Sequence, residues 1–249
     1  MEGAVREGNP TENGWASYPS EKWCASRMQA VDGGLWRHCA ERYGGPILDL
    51  CCGSGAFAVG LARRGYEIVA VDFNPGMVDV ARQWATREKL PITVIQADIT
   101  RLELPRRFRL AILPGWSWQV LLTAEEQIAF LRGVHACLEP GGALALDIFM
   151  PINRQRGLIY ENGKWIWPPN PHYHNGAARS FDPLTQIEDL KESNVHPVRV
   201  RHTTLGEFDL LFQSTGFRRV ELFGDSMPLR PYTGGPDCDY AMVAEKYIS

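Results

Sequence analysis

Three carboxylates lie in or just after three short apolar runs in the first half of this 249-residue chain, and a glycine-rich turn lies between the first two. Asp49 sits within Ile47-Leu48-Asp49-Leu50, Asp72 ends Val69-Ala70-Val71, and Asp98 follows the run from Ile92 to Ile95. In the turn Cys51-Cys52-Gly53-Ser54-Gly55-Ala56, the two glycines lack the Cβ atoms that would keep a ligand off the backbone, and the N–H groups of the helix that starts there face outward. Asp72 can accept both hydroxyls of a ribose lying across the two strand ends. The grouping is that of a nucleoside-cofactor site. Gly53 to Ala58 also fits the G-x-G-x-x-G/A dinucleotide pattern. Asp49 argues against a dinucleotide, since a carboxylate just before the turn opposes a pyrophosphate and suits a ligand carrying positive charge. A nicotinamide-linked dehydrogenase is therefore a distant alternative.

The pieces Leu48-Asp49-Leu50-Cys51-Cys52-Gly53-Ser54-Gly55, Val71-Asp72, Asn74-Pro75-Gly76-Met77, Gln96-Ala97-Asp98 and Leu138-Glu139-Pro140-Gly141-Gly142 occur in one order over residues 45–150, with a return near 204–247. In this they resemble the class I S-adenosylmethionine-dependent methyltransferases. The resemblance implies S-adenosylmethionine as cofactor, with the loop of Gly53 and Gly55 on its methionine end and Asp72 on the ribose. It places Phe73 and Met77 on the adenine faces and Asp98 with Ile99 at the adenine edge. Asp49 lies near the cationic end, and Tyr18 and Pro114 complete the implied set.

The elements that must position these residues follow from periodicity. Ile47 to Leu50 reads as a buried parallel strand, followed by a helix from about Gly55 to Arg64, a strand from Glu67, a helix from Pro75 to about Glu88, and strands from Ile92 and at Leu110 to Leu113. Thr123 to Glu126 has the form of a capping box opening a helix to Leu138, and Ala143 to Phe149 is the next strand. Such alternation predicts an α/β fold, doubly wound around a mostly parallel seven-stranded sheet, whose last antiparallel pair would come from Phe217–Phe223 and Asp239–Lys246. Residues 1–14 are expected to be a disordered arm, and 15–249 one domain. Glu21 to Cys39 reads as an amphipathic helix.

Residues 150–202 break the rhythm. Alternating runs at Ala178–Phe181, Gln186–Glu192 and Pro197–His202 predict an inserted antiparallel β lid over the strand ends, where substrate recognition concentrates. Candidate substrate residues are Trp116, Trp118 and Gln119, after the fourth strand, and Trp165 and Trp167 in the insertion. Small-molecule members of the family often carry Pro-Phe-Asn-Ser-Phe-x-His-Leu after the fourth strand. Here Trp116 and Val120 replace its Asn and His, removing two polar groups. His172, Tyr173 and His174 are the candidate proton acceptors, and the i, i+2 histidines have no companion with metal-ligand spacing.

Composition narrows the class. A formal charge of −3 without a long basic run argues against a nucleic-acid surface. No apolar run is long enough to span a bilayer and the N-terminus lacks a signal-peptide core, so the expectation is a cytoplasmic protein away from membranes. Six irregularly spaced cysteines do not form a disulfide framework. The expected reaction is in-line methyl transfer to oxygen, nitrogen or carbon of a small molecule. Two rivals stand beside it: an intramolecular cyclase that releases methylthioadenosine and a four-membered cyclic amino acid, and a protein that binds the cofactor without catalysis. The sequence sets no oligomeric state.

Overall fold

The computed structural model describes residues 34–149, 159–161, 164–167, 179–190, 198–233 and 240–247, with backbone alone at 159–161, 164–167, 179, 190 and 198. The elements are α1 (Leu35–Tyr43), β1 (Ile47–Leu50), α2 (Ala56–Ala62), β2 (Ile68–Asp72), α3 (Pro75–Arg87), β3 (Ile92–Gln96), β4 (Phe108–Leu113), α4 (Ala124–Cys137) and β5 (Leu138–Ile148). There follow β6 (Ile159–Glu161), β7 (Lys164–Trp167), β8 (Arg179–Asp182), β9 (Ile187–Leu190), β10 (Val198–Arg201), α5 (Leu205–Ser214), β11 (Phe217–Ser226), β12 (Leu229–Pro231) and β13 (Tyr240–Lys246).

The main sheet has the order β12-β11-β13-β5-β4-β1-β2-β3. β1 pairs in parallel with both β2 and β4, so the order reverses between β1 and β4 and opens a crevice beyond their carboxyl ends. β13 runs antiparallel to β5 and β11. The short β12 makes this an eight-stranded sheet, one more than the periodicity gives, because β11 turns back on itself after Ser226.

Side-chain alternation divides the core in two. Leu48, Leu50, Ala111, Leu113, Leu144 and Leu146 face Phe130, Leu131 and Val134 of α4 and Phe208 and Phe212 of α5. Ile47, Leu110, Ile112, Ala143 and Ala145 face Trp36 and Cys39 of α1 and Phe57 and Leu61 of α2. A central strand covered on both faces must be apolar at nearly every position, which is why β1 is a continuous apolar run apart from Asp49. The capping box of α4 forms as its sequence predicts: Glu126 N–H donates to Thr123 Oγ1 at 3.1 Å and Thr123 N–H to Glu126 Oε2 at 3.0 Å.

Two expectations need correction. The first described helix runs from Leu35 to Tyr43, not through to Cys39 from upstream, because Gly34 at its N-cap has φ +95, a conformation that ends helical continuity. A Cβ at Gly34 would also lie 2.1 Å from the Ser226 carbonyl oxygen, so the chain can enter α1 there only as glycine. Trp118 is not a surface residue: it is 0% exposed, packed edge-on against Phe130 and tilted on Phe208, with Nε1–H donating to Thr203 Oγ1 at 2.9 Å.

The inserted segment forms a second sheet of order β10-β9-β8-β7-β6, antiparallel throughout. Three of its strands match the alternating runs of the sequence, and β6 and β7 are additional. Its last strand is bonded to the main domain. Arg201 donates to Gln127 Oε1 at 2.6 Å and Glu207 Oε1 at 2.5 Å, and Gln127 Nε2 donates to Thr203 Oγ1 at 3.1 Å. The burial of Trp118 gives a stability prediction: Trp118→Ala should cost about 3–5 kcal/mol, as large-to-small changes in cores do. Trp116→Ala should cost less, since that ring is only partly buried. Denaturant titration of both variants checks this, and equal losses would contradict the assignment of Trp118 to the core.

Candidate functional site

The turn out of β1 is built from positive φ angles at Cys51 (+54), Gly53 (+56) and Gly55 (+87), which swing the chain from the strand end directly into α2. The adjacent thiols diverge: Cys52 packs on the α1–α2 face and Cys51 against the α4–α5 face. The two glycines do different work. Among the described residues a Cβ on Gly53 would meet nothing within 4 Å, so this is the glycine with open room beside it. A Cβ on Gly55 would lie 3.1 Å from Ala81 Cβ. Gly55 therefore also lets α2 approach α3.

Asp72 anchors the turn. Its Oδ2 accepts the Gly53 N–H and its Oδ1 the Asn74 N–H, both at 2.8 Å. Burial raises the Asp72 pKa, opposed by these N–H donors. Each carboxylate oxygen still has a second lone pair for a hydroxyl. Next to it Phe73 is 37% exposed, a flat apolar surface at the carboxyl end of β2, while Met77 is buried at the start of α3. Asn74 caps that helix through the N–H groups of Gly76 and Met77. Beyond β3, Asp98 Oδ1 accepts the Thr100 N–H and hydroxyl at 2.8 Å each, holding a 3-10 turn that buries Ile99. Asp98 Oδ2 has no bond to another described residue. Pro114 is buried just past β4.

Asp49 is the unusual member. It is 0% exposed, and neither carboxylate oxygen has a hydrogen-bond partner among the described residues. It shares the sheet face of Ile47, toward the first turn of α2. Burial, then repulsion from Asp72, pushes its pKa up to about 8, and the N–H of Ala58, whose placement falls short of a hydrogen bond, opposes this least. An orphaned buried carboxyl needs either a proton or a cation nearby. A sulfonium-bearing cofactor above the loop would supply positive charge, so the residues present fit S-adenosylmethionine. A pyrophosphate would add negative charge to Asp49, Asp72 and Asp98.

After β4, Trp116 has φ +61, is partly exposed, and donates its N–H to Asp147 Oδ1 at 3.0 Å. Gln119 is not a surface group: it is 1% exposed and bonded to Phe149 N–H and His202. Sequence reasoning missed Asp147, Glu188, His202 and Thr203. No local spacing marks them, since Glu188 and His202 stand 14 residues apart and Gln119 and His202 stand 83 apart. Tyr18, His172, Tyr173 and His174 lie outside the described residues, as do the side chains of Trp165 and Trp167. The backbone register sets Trp165 opposite Phe181 and Trp167 opposite Arg179. The small polar hollow lined by Arg37, Glu41, Arg64 and Tyr66 lies near the amino end of β2, away from this site.

Residues 47–142 match a family model described as a methyltransferase domain. The chain is 32% identical over 113 residues to a cypemycin N-terminal methyltransferase from a Streptomyces species, an alignment covering 45% of each protein. Over 198 residues it is 26% identical to a carboxy-S-adenosyl-L-methionine synthase from Geobacter sp. strain M21, covering 74% of each. The aligned stretch thus spans less than half the length of the first relative. Among solved structures, the CcbJ methyltransferase of Streptomyces caelestis shares the fold, with a TM-score of 0.71 at 22% identity over 90% of both chains. The match to a methyltransferase domain falls on the stretch that holds Asp49, Gly53, Asp72 and Asp98, and the whole chain shares the fold of the CcbJ methyltransferase.

Two predictions follow from this geometry. Gly53→Ala should weaken S-adenosylmethionine binding at a stability cost of about 1–2 kcal/mol for its left-handed backbone. Gly55→Val should lower stability by more, because a strained φ and contact with Ala81 coincide. Melting temperature and calorimetry on each variant separate the effects, and the reverse ranking would contradict the division between the two glycines.

The second prediction concerns pH. With its folded pKa raised to about 8, Asp49 keeps its proton in the native protein where the unfolded chain has lost it. The native state then binds more protons, so this contribution to stability is full below the unfolded carboxyl pKa of about 3.9, declines as pH rises, and is gone above the folded value. Asp49→Asn should remove that slope. Because a cationic ligand favours the carboxylate, binding of S-adenosylmethionine near neutral pH should release a proton, seen as different binding heats in buffers of different ionisation enthalpy. Proton release that persists in Asp49→Asn would show that another group is responsible.

Proposed function

We propose that this protein transfers the methyl group of S-adenosylmethionine to an oxygen, nitrogen or carbon nucleophile of a small molecule by direct in-line displacement. The observation that carries this reading is the placement of Asp72, Phe73 and Asp98 at the carboxyl ends of β2 and β3. They flank the reversal of strand order on one side, with Trp116 and Phe149 at the ends of β4 and β5 on the other. One half offers what a nucleoside needs, and the other offers an aromatic wall for an acceptor. The second sheet, bonded to the main domain through Arg201 and Thr203, is read as the acceptor side of the site, enclosed rather than open to a polymer. The names of the cypemycin N-terminal methyltransferase and the CcbJ methyltransferase support methyl transfer as the reaction class.

When bound, S-adenosylmethionine supplies a methyl group already activated by its sulfonium. The chain's own residues have three tasks: to hold the nucleoside through Asp72 and Asp98, to align the acceptor, and to exclude water. No covalent intermediate on the protein is required. Where the acceptor loses a proton, His172, Tyr173 or His174 is proposed to receive it. No described helix is long and apolar enough to cross a membrane. Free thiols at Cys39, Cys51, Cys52 and Cys137 suit a reducing compartment, in line with a cytoplasmic enzyme.

The test is to incubate pure protein with cofactor alone and then with pools of small amines, hydroxyl compounds and carbon acids, weighing every product. S-adenosylhomocysteine should appear only when an acceptor is supplied. Methylthioadenosine or a carboxylated cofactor formed from mixtures without such an acceptor would instead assign a reaction on the cofactor itself. Tight binding without any product would make the protein a cofactor-binding module.

A further inference from the structure

Between the two sheets lies a chain of buried hydrogen bonds whose direction can be worked out from one end. Phe149, just beyond β5, has a backbone N–H that can only donate, and Gln119 Oε1 receives it at 3.0 Å. The amide orientation is thereby set, and Gln119 Nε2 faces His202 Nδ1 at 3.2 Å. Nδ1 must then be the accepting nitrogen. The ring proton sits on Nε2 and is donated to Glu188 Oε2 at 2.8 Å. Gln119, His202 and Glu188 are 1%, 2% and 0% exposed, so no water competes for these bonds. Their partners come from β9, the segment after β10, the 3-10 turn after β4 and the end of β5.

The chain ends on an aromatic pair. The Phe149 ring meets His202 edge-on at 5.6 Å and lies 5.4 Å from the Trp116 ring, tilted by 49°. Trp116 occupies a left-handed backbone position that a bulky residue adopts only when its surroundings over-determine it. Asp147 provides the second restraint. It accepts the Trp116 N–H through Oδ1 and the Ser226 hydroxyl through Oδ2 at 2.8 Å. Two buried polar clamps, one reaching in from the second sheet and one from the main sheet, therefore converge on one partly exposed indole.

We propose that Glu188 and His202 are positioning residues for the methyl acceptor. Through Gln119 they fix Phe149 and, across it, the Trp116 indole as the wall against which the acceptor lies. The acceptor class this wall takes carries a planar, apolar or cationic group beside its nucleophilic atom. The inference rests on the methyl-transfer reading above and adds to it the route by which the inserted sheet acts on specificity. It also explains how a site without polar residues at positions 116 and 120 keeps a defined shape: the polar groups work from behind the aromatic surface.

The test uses full-length protein labelled with 5-fluorotryptophan and saturated with S-adenosylhomocysteine, with the Trp116 fluorine resonance assigned by Trp116→Phe. In Glu188→Ala, which deprives His202 Nε2–H of its acceptor, that resonance should shift or broaden, while the resonance of core Trp36 stays in place. Glu188→Gln keeps an accepting oxygen and should restore the wild-type line. With the acceptor found in the product screen, Glu188→Ala should lower kcat/KM by about tenfold or more, as misplacement of a reacting partner does, and leave cofactor Kd within about twofold. If Glu188→Ala does not fold, Gln119→Met cuts the chain at its middle and is read in the same way. An unmoved Trp116 line, equal disturbance in Glu188→Gln, or parallel loss of cofactor affinity would overturn the proposal. Absence of transfer by the wild type would overturn the methyl-transfer reading and the acceptor role with it. The spectra would still decide whether the chain holds the indole.

Discussion

A parallel strand buried on both faces can be left only through its carboxyl end, and the chain must then return along a helix packed on the same sheet. Between Leu50 and Ala56 it does so in five residues, of which Cys51, Gly53 and Gly55 have positive φ. The rest of the cofactor side depends on this turn. It can stay tight because Asp72, on the neighbouring strand, receives the Gly53 N–H, so the acid that would hold a ribose also holds the loop beneath it. It can pack because Gly55 lets α2 close on α3. Cys51 shows the cost: a side chain in left-handed backbone carries about 1–2 kcal/mol of strain, tolerated because the thiol is packed against the apolar face below it.

The same turn concentrates negative charge. Asp49, Asp72 and Asp98 all raise the pKa of the Cys51 thiol, after burial has raised it first, which places that sulfur within the field of all three acids. A floor of this kind would be unfavourable in an apolar crevice with nothing to neutralise it. Asp49 accommodates it by holding its proton, and Asp72 by taking backbone N–H donors. The two solutions differ because Asp49 lies within β1, where the N–H and C=O groups are committed to strands on either side, while Asp72 ends its strand beside the Gly53 and Asn74 N–H groups, which donate to it.

Much of this was legible in the sequence because its signals are local. The apolar runs of β1, β2 and β4, the Thr123–Glu126 capping box and the three alternating runs of the insertion each announce themselves within a few residues. Trp116 and Trp118 mark the limit of such reading. They are two positions apart in one short turn, yet one ends partly exposed at the site and the other inside the core. Nothing in residue type separates them. The decision is made by Phe130, Phe208 and Thr203, which come from distant elements. His202 was visible only as the end of a strand-like run, since a buried polar pair leaves no periodic trace. The break in front of the first described helix has a similar cause: Gly34 is required by contact with Ser226, far away in the chain.

The family match ends at residue 142, and the division is a physical one. Before it lie the turn, the three acids and Phe73, the residues proposed to hold the cofactor. After it lie Asp147, Phe149, Glu188 and His202, which reach back to Trp116 and Gln119 on the matched side. A fold shared among many reactions keeps its cofactor half and varies what faces the second substrate. Besides the pairing of β4 with β5 and the shared core, the two parts meet around Trp116 through its N–H bond to Asp147 and the bonds of Gln119 to Phe149 and His202. The two bonds at Gln119 are fully buried, and a substitution there leaves an unpaired group inside the protein. Acceptor preference in this chain is therefore expected to reside less in the exposed aromatic rings than in the buried polar groups that orient them.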